Sequence, residues 1–190
     1  MVTEFNIESL RRRLRPTDRF LESEEGHPPD AAVAVIINSS QSTSSLLLIR
    51  RTQRIGDPWS GQIAFPGGHR APGDRSFLDT AIREANEEIG VSLRDHAVLG
   101  VLPLVYARTR RIRVVPFVFQ LKTSVEFRTN MEVAEAFWVP VNELAHSKVT
   151  KSKVRVEDRE LTVDSYIYGE NVIWGLTLRI IKMLLGKNGS

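Results

Sequence analysis

The chain has 190 residues, 42% of them hydrophobic, with a formal net charge of +3 and no cysteine. That length suffices for one well-buried core and is short for two, so one domain is expected. Without thiols there can be no disulfide, cysteine nucleophile or thiolate metal site, and the mild positive charge suits an anionic small molecule without requiring nucleic acid.

No apolar run approaches the roughly 20 residues that span a bilayer, and the first residues lack the apolar core of a signal peptide. A cytoplasmic enzyme with no membrane partner is therefore the expectation. Residues 1–30 read as an appendage to a core that runs over residues 31–186. Within it Phe5, Ile7, Leu10 and Leu14 interleave with Arg11, Arg12, Arg13 and Arg15, which predicts a short amphipathic helix ended by Pro16. A helix this short is expected to pack on its own domain or on the partner subunit of a homodimer. Glu22 to Asp30, with Gly26, Pro28 and Pro29, reads as a loop.

From Ala31 the pattern is that of strands. The apolar runs Ala31–Ile37 and Leu46–Ile49, separated by the polar stretch Asn38–Ser45, predict a hairpin. Arg50, Arg51 and Arg54 follow, then the turn-rich Gly56-Asp57-Pro58-Trp59-Ser60-Gly61. Gln62–Phe65 leads into Pro66-Gly67-Gly68. Two adjacent glycines let a phosphate or a metal approach the main chain closely, and they also serve as an ordinary tight turn.

Phe77–Ile89 is predicted as one helix, with Ser76 as its N-cap, Asp79 in the first turn and Gly90 as its stop. Leu78, Ala81, Ile82, Ala85 and Ile89 give it a face to bury. Glu84, Glu87 and Glu88 fall at i, i+3 and i+4, which brings three carboxylates onto another face. Such close like charges repel unless something neutralises them. A hard divalent cation such as Mg²⁺ or Mn²⁺ does so through oxygen ligands, whereas solvation with ion pairs to Arg83 and Arg75 is the ordinary alternative.

The stretch resembles the Nudix box, GX5EX7REUXEEXGU with U aliphatic. Gly68 is followed by five residues and Asp74, and Arg83-Glu84-Ala85-Asn86-Glu87-Glu88-Ile89-Gly90-Val91 fills the second half. Asp74 stands in the place of a glutamate, and eight residues rather than seven separate it from Arg83. Upstream, Leu48, Arg51, Gly61 and Phe65–Gly68 look like the extra motif of the coenzyme A pyrophosphatase group, with Thr52 in place of serine and one residue added between Arg51 and Gly61. The aspartate and the longer spacing are features of that group as well.

After the box, His96–Val105 and Ile112–Leu121 are predicted strands. Arg108, Arg110, Arg111 and Arg113 lie between or at the start of them, as either a solvated hairpin tip or a clamp for substrate phosphate. Glu132-Val133-Ala134-Glu135-Ala136-Phe137-Trp138-Val139-Pro140 is similar to the Nudix segment in which an acid precedes a Trp-Val-Pro strand. By that resemblance Glu132 or Glu135 completes the metal shell or acts as base. Val141–Ala145 reads as a short helix and Lys153–Val156 with Leu161–Tyr168 as a hairpin. Ile173–Leu185 reads as a helix presenting Leu176, Ile180, Met183 and Leu184. Trp174-Gly175-Leu176-Thr177 resembles a segment near the end of the same group, so the likeness covers most of residues 31–185. The four histidines have no metal-ligand spacing, and only His69 adjoins the box.

The resemblance implies an α/β (α+β) fold, the Nudix α/β/α sandwich with a mixed sheet, having the box helix on one side and the C-terminal helix on the other. It implies hydrolysis of a nucleoside diphosphate-linked small molecule. Coenzyme A or an acylated form is the first expectation, cut to 3′,5′-ADP and 4′-phosphopantetheine. Glu84, Glu87, Glu88 and the Gly68 carbonyl would hold Mg²⁺ or Mn²⁺, with Arg83 orienting the glutamates and Asp74 behind them or acting through a water. Arg51, Gly67 and the arginine patch would face the substrate. ADP-ribose, dinucleoside polyphosphates and oxidised nucleotides remain alternative substrates, and a non-catalytic binding or regulatory protein is the alternative of another class.

Overall fold

The computed structural model describes residues 5–17, 28–57, 59–107, 112–156 and 159–187. In chain order the elements are α1 (Ile7–Arg11), β1 (Ala31–Asn38), β2 (Ser45–Arg51), β3 (Ile63–Ala64), β4 (Gly67–His69), α2 (Phe77–Ile89), β5 (Ala97–Val101) and β6 (Val105–Ala107). They continue with β7 (Ile112–Leu121), β8 (Val133–Pro140), α3 (Val141–His146), β9 (Thr150–Val156), β10 (Arg159–Tyr168), β11 (Asn171–Trp174) and α4 (Gly175–Leu184).

Strand β1 lies at the centre of a mixed sheet ordered β3-β2-β1-β7-β5, with β4 on β1, β6 on β7 and β8 on β2. It runs parallel to β7 from Ala31 opposite Val114 to Asn38 opposite Leu121, and antiparallel to β2 and β4. Its first seven residues are all buried, which is why it reads as an unbroken apolar run and not as an alternation. The pleat sends Ala32, Ala34 and Ile36 to one face, where they meet Ala81, Ile82, Ala85 and Ile89 of α2. Val33, Val35 and Ile37 go to the other, where Leu178, Ile180, Ile181 and Leu184 of α4 cover them. Each fully buried leucine or isoleucine in these layers contributes about 2 kcal/mol of transfer free energy. The result is the expected α/β/α sandwich around a mixed sheet. A second sheet, β11-β10-β9, stands beside α4.

Two boundaries differ from the periodicity reading. The expected strand His96–Val105 is two strands, β5 and β6, both paired with β7 on either side of an irregular stretch. The expected helix from Ile173 begins only at Gly175, because Asn171–Trp174 pairs with Ser165–Tyr168 as the third strand of the second sheet. Ile173 is buried in either conformation, so its hydrophobicity does not distinguish them. Gly175, at φ +62°, makes the turn from strand into helix.

Helix α1 is shorter than expected, but it is built into the core. Leu10 has no exposed surface, and Arg13 donates to the main-chain oxygens of Met183 (3.4 Å) and Leu184 (3.0 Å). Arg15 pairs with Val101 as a one-residue antiparallel bridge. No helix among the described residues is long and apolar enough to cross a membrane. Leu10→Ala should lower the unfolding free energy by about 2–4 kcal/mol in a urea titration followed by circular dichroism.

Candidate functional site

Helix α2 is fixed at both ends by its own sequence. The Ser76 hydroxyl accepts from the Asp79 N–H at 3.1 Å, and the Gly90 N–H closes on the Asn86 carbonyl at 3.0 Å. With Ala81, Ala85 and Ile89 facing the sheet, Glu84, Glu87 and Glu88 are turned toward β4 and the loops around it. Glu88 is 2% exposed, the Glu84 side chain 17% and that of Glu87 52%.

The two glycines of β4 act differently. The Gly67 N–H donates to Glu88 Oε2 at 2.9 Å, and a Cβ there would lie 2.4 Å from the Ala32 oxygen and 2.6 Å from the Val33 Cα. Main chain thus blocks any side chain at Gly67. A Cβ at Gly68 would instead lie 2.5 Å from Glu84 Oε1, so that carboxylate occupies the space a side chain would fill.

Arg83 binds the acids together. Its Nε donates to Asp74 Oδ1 (2.9 Å), and its Nη2 donates to Asp74 Oδ2 (3.0 Å) and the His69 carbonyl (3.1 Å). Its Nη1 pairs with Glu87 Oε2 (2.8 Å) and Glu84 Oε1 (2.9 Å). Asp74 also accepts from the Ala71 N–H and the Thr80 hydroxyl, each at 2.9 Å. The Arg83 guanidinium, aided by those two donors and opposed by burial, holds the Asp74 carboxyl at about 2. Burial acts the other way on the glutamates. It raises Glu84, and with the neighbouring Glu84 charge it pushes Glu88 up to about 7 against the Gly67 N–H and Arg51.

Arg51, at the end of β2, reaches the same place. Its Nη1 lies 3.6 Å from Glu88 Oε1 and its Nη2 bonds Asp57 Oδ2 at 3.1 Å, while its buried Nε has no hydrogen-bond partner among the described residues. Glu132 stands at the rim, 3.7 Å from Arg54, close enough for its charge to act on Glu84 and Glu88. Glu135 is elsewhere. It pairs with Arg50 at 2.9 Å, and Arg50 also bonds Asn171 of β11, on the sheet face opposite the glutamates. Arg113 is bound to Asp30 through its N–H (2.7 Å) and Nε (3.4 Å). Arg108, Arg110 and Arg111 lie outside the described residues.

The structure therefore brings Glu84, Glu87, Glu88, Arg83, Arg51, Glu132, Gly67 and Gly68 together and sets Glu135 apart. Sequence reading missed Asp57, which had only the look of a turn residue six positions after Arg51. A cavity of about 480 Å³ lined by Ala71, Gly73, Asp74, Arg75, Asp79, Arg83 and Arg94 opens nearby, but it includes none of the three glutamates.

Among the described residues, no three His, Asp or Glu side chains stand ready to hold an ion as they are. Arg83 shares Glu84 and Glu87, and Glu88 is turned to Gly67 and Arg51. The donor set nevertheless suits Mg²⁺ or Mn²⁺. It is all oxygen, it contains the buried carboxylate of Glu88 against that of Glu84, and Gly68 leaves its side-chain space to a ligand oxygen.

Residues 27–161 match the family model of the NUDIX domain. The chain is 34% identical over 161 residues to the uncharacterized Nudix hydrolase NudL of Pectobacterium atrosepticum, covering 83% of this chain and 82% of that protein. It is 31% identical over 166 residues to the human mitochondrial coenzyme A diphosphatase NUDT8, covering 83% and 69%. A MutT/nudix family protein from Enterococcus faecalis aligns in structure with a TM-score of 0.50 at 21% identity, over 95% of this chain and 73% of that one, which speaks to the fold.

The two glycines predict different failures. Gly67→Ala should lower the melting temperature, because main chain must move, whereas Gly68→Ala should leave the melt nearly unchanged and displace Glu84, weakening divalent-ion binding in a titration. Asp74 makes a pH prediction. Its carboxyl lies below its ordinary 3.8, so the stability it contributes is complete above about pH 4 and is lost as pH falls toward about 2. Asp74→Asn should be less stable at neutral pH and show a flatter acid limb in urea midpoints measured across that range.

Proposed function

The chain belongs to the Nudix family of diphosphate-cleaving hydrolases, and from that premise we propose that it is a metal-dependent hydrolase of coenzyme A or acyl-coenzyme A. The products are 3′,5′-ADP and 4′-phosphopantetheine or its acylated form. The observation that carries the reaction class is the Glu84–Glu87–Glu88 cluster, with Glu84 and Glu87 held by Arg83 and Glu88 by the Gly67 N–H, beside Gly68. Support for the substrate comes from Leu48, Arg51, Gly61 and Phe65–Gly68, the longer spacing before Arg83, and the likeness to a coenzyme A diphosphatase.

Glu84, Glu87 and Glu88, with the Gly68 carbonyl, would hold the cation. A divalent ion there supplies charge neutralisation at the diphosphate and lowers the pKa of a bound water toward neutrality. The protein's own part is positioning. Arg83 fixes the directions of Glu84 and Glu87 and is itself fixed by Asp74. The Arg51 guanidinium adds positive charge beside Glu88 for the diphosphate. Glu132, half-exposed at the rim, is the residue we assign as the base that takes a proton from water. Glu135, on the opposite face with Arg50, has no part. Arg113, bound to Asp30 at the end of β1 and β7, is the described arginine that we assign to a second phosphate.

The decisive measurement is turnover on a panel of coenzyme A, acetyl-coenzyme A, ADP-ribose, a dinucleoside polyphosphate and an oxidised nucleotide, each with Mg²⁺ and Mn²⁺. Coenzyme A or its ester should be cut fastest. Cleavage only of another compound would replace the substrate, and salt-dependent RNA binding without any cleavage would replace the class. Glu88→Gln should reduce turnover by about 10²-fold or more with the fold intact. Near-normal activity would remove the carboxylate from the mechanism.

A further inference from the structure

Arg51 is shared unequally between two carboxylates. Its Nη2 makes a true hydrogen bond to Asp57 at 3.1 Å, while its Nη1 stays 3.6 Å from Glu88, beyond good hydrogen-bond length. Asp57 is well placed to win the competition. Its other oxygen accepts from the Trp59 N–H at 2.9 Å, its own N–H reaches the Arg54 oxygen, and its carbonyl accepts from Ser60, so backbone fixes it on three sides. Among the described residues the buried Arg51 Nε has no hydrogen-bond partner, which is costly for a charged donor.

We propose that Asp57 is a positioning residue that holds the Arg51 guanidinium off Glu88 and so keeps the Glu88 carboxylate available to a divalent cation. Without Asp57, Arg51 closes on Glu88, completes the pairing there and competes with the metal for the same oxygens. A residue that never touches the ion thus sets its affinity, and removing a negative charge near an acidic site acts through the cation it restrains. The effect is separable from simple Coulomb attraction, because it needs Arg51. This inference rests on the reading of Glu88 as a metal ligand.

The test measures Mn²⁺ uptake by the full chain without substrate, from the loss of the free-ion electron paramagnetic resonance signal. Asp57→Asn should weaken Mn²⁺ binding about tenfold, the scale expected when a group behind a metal ligand is removed. In an Arg51→Gln background the same substitution should change the affinity less than twofold, and Arg51→Gln alone should bind Mn²⁺ at least as tightly as the parent. Equal weakening by Asp57→Asn in both backgrounds would make the effect plain charge loss and overturn the proposal. Weaker binding by Arg51→Gln alone would overturn it too, and needs no Asp57 variant to fold. A parent that binds Mn²⁺ with unchanged variants sinks this inference only. A parent that takes up no Mn²⁺ sinks the metal-dependent reading as well.

Discussion

The site depends on the number of negative charges that one guanidinium can organise. Arg83 has three nitrogens, and each is engaged: with Asp74, with the His69 carbonyl, and with Glu84 and Glu87. Remove it and Glu84 and Glu87 lose their common counter-charge while Asp74 is left buried and ionised, an arrangement that protonation or local unfolding would relieve. Arginine suits this place better than lysine, because a planar fork can serve several oxygens in fixed directions. The helix is held by apolar packing, but the order of its acids is held by this residue.

The second constraint is space. Gly67 presses against β1 main chain, and Gly68 yields its side-chain volume to Glu84, so the loop, the strand and the helix meet at van der Waals distance. The parallel alignment of β1 with β7 brings Asp30 and Arg113 to the same end of the sheet. Around this end gather Arg51 from β2, Glu132 before β8 and the β4 glycines, which is how residues eighty positions apart come to act on one another.

Helix α2 and its caps were fully legible in the sequence, because Ser76, Gly90 and the apolar face agree with one another. So was the hairpin of β1 with β2. The strand at Asn171–Trp174 was not, since Ile173 is buried whether it belongs to a strand or a helix and only pairing with β10 decides between them. At the site, proximity in sequence placed Glu84, Glu87 and Glu88 on one face. Glu135 lies in β8 opposite Arg50 while Glu132 precedes the strand, and an irregular register between Arg50 and Arg51 separates the two, which the sequence alone does not reveal. Asp57 was invisible for another reason: a loop aspartate before proline reads as turn chemistry, and its partner is found only when the loop is folded back.

The tie between the two ends of the chain bears on when this protein can first become stable during synthesis. Leu10 and Arg13 find their partners around α4, some 171 positions downstream. One face of the central sheet therefore lacks its native cover until α4 has been made. The α2 face, built from residues much closer in sequence, can form earlier. A chain from which α4 has not yet emerged would leave the sheet face formed by Val33, Val35 and Ile37 without its native cover.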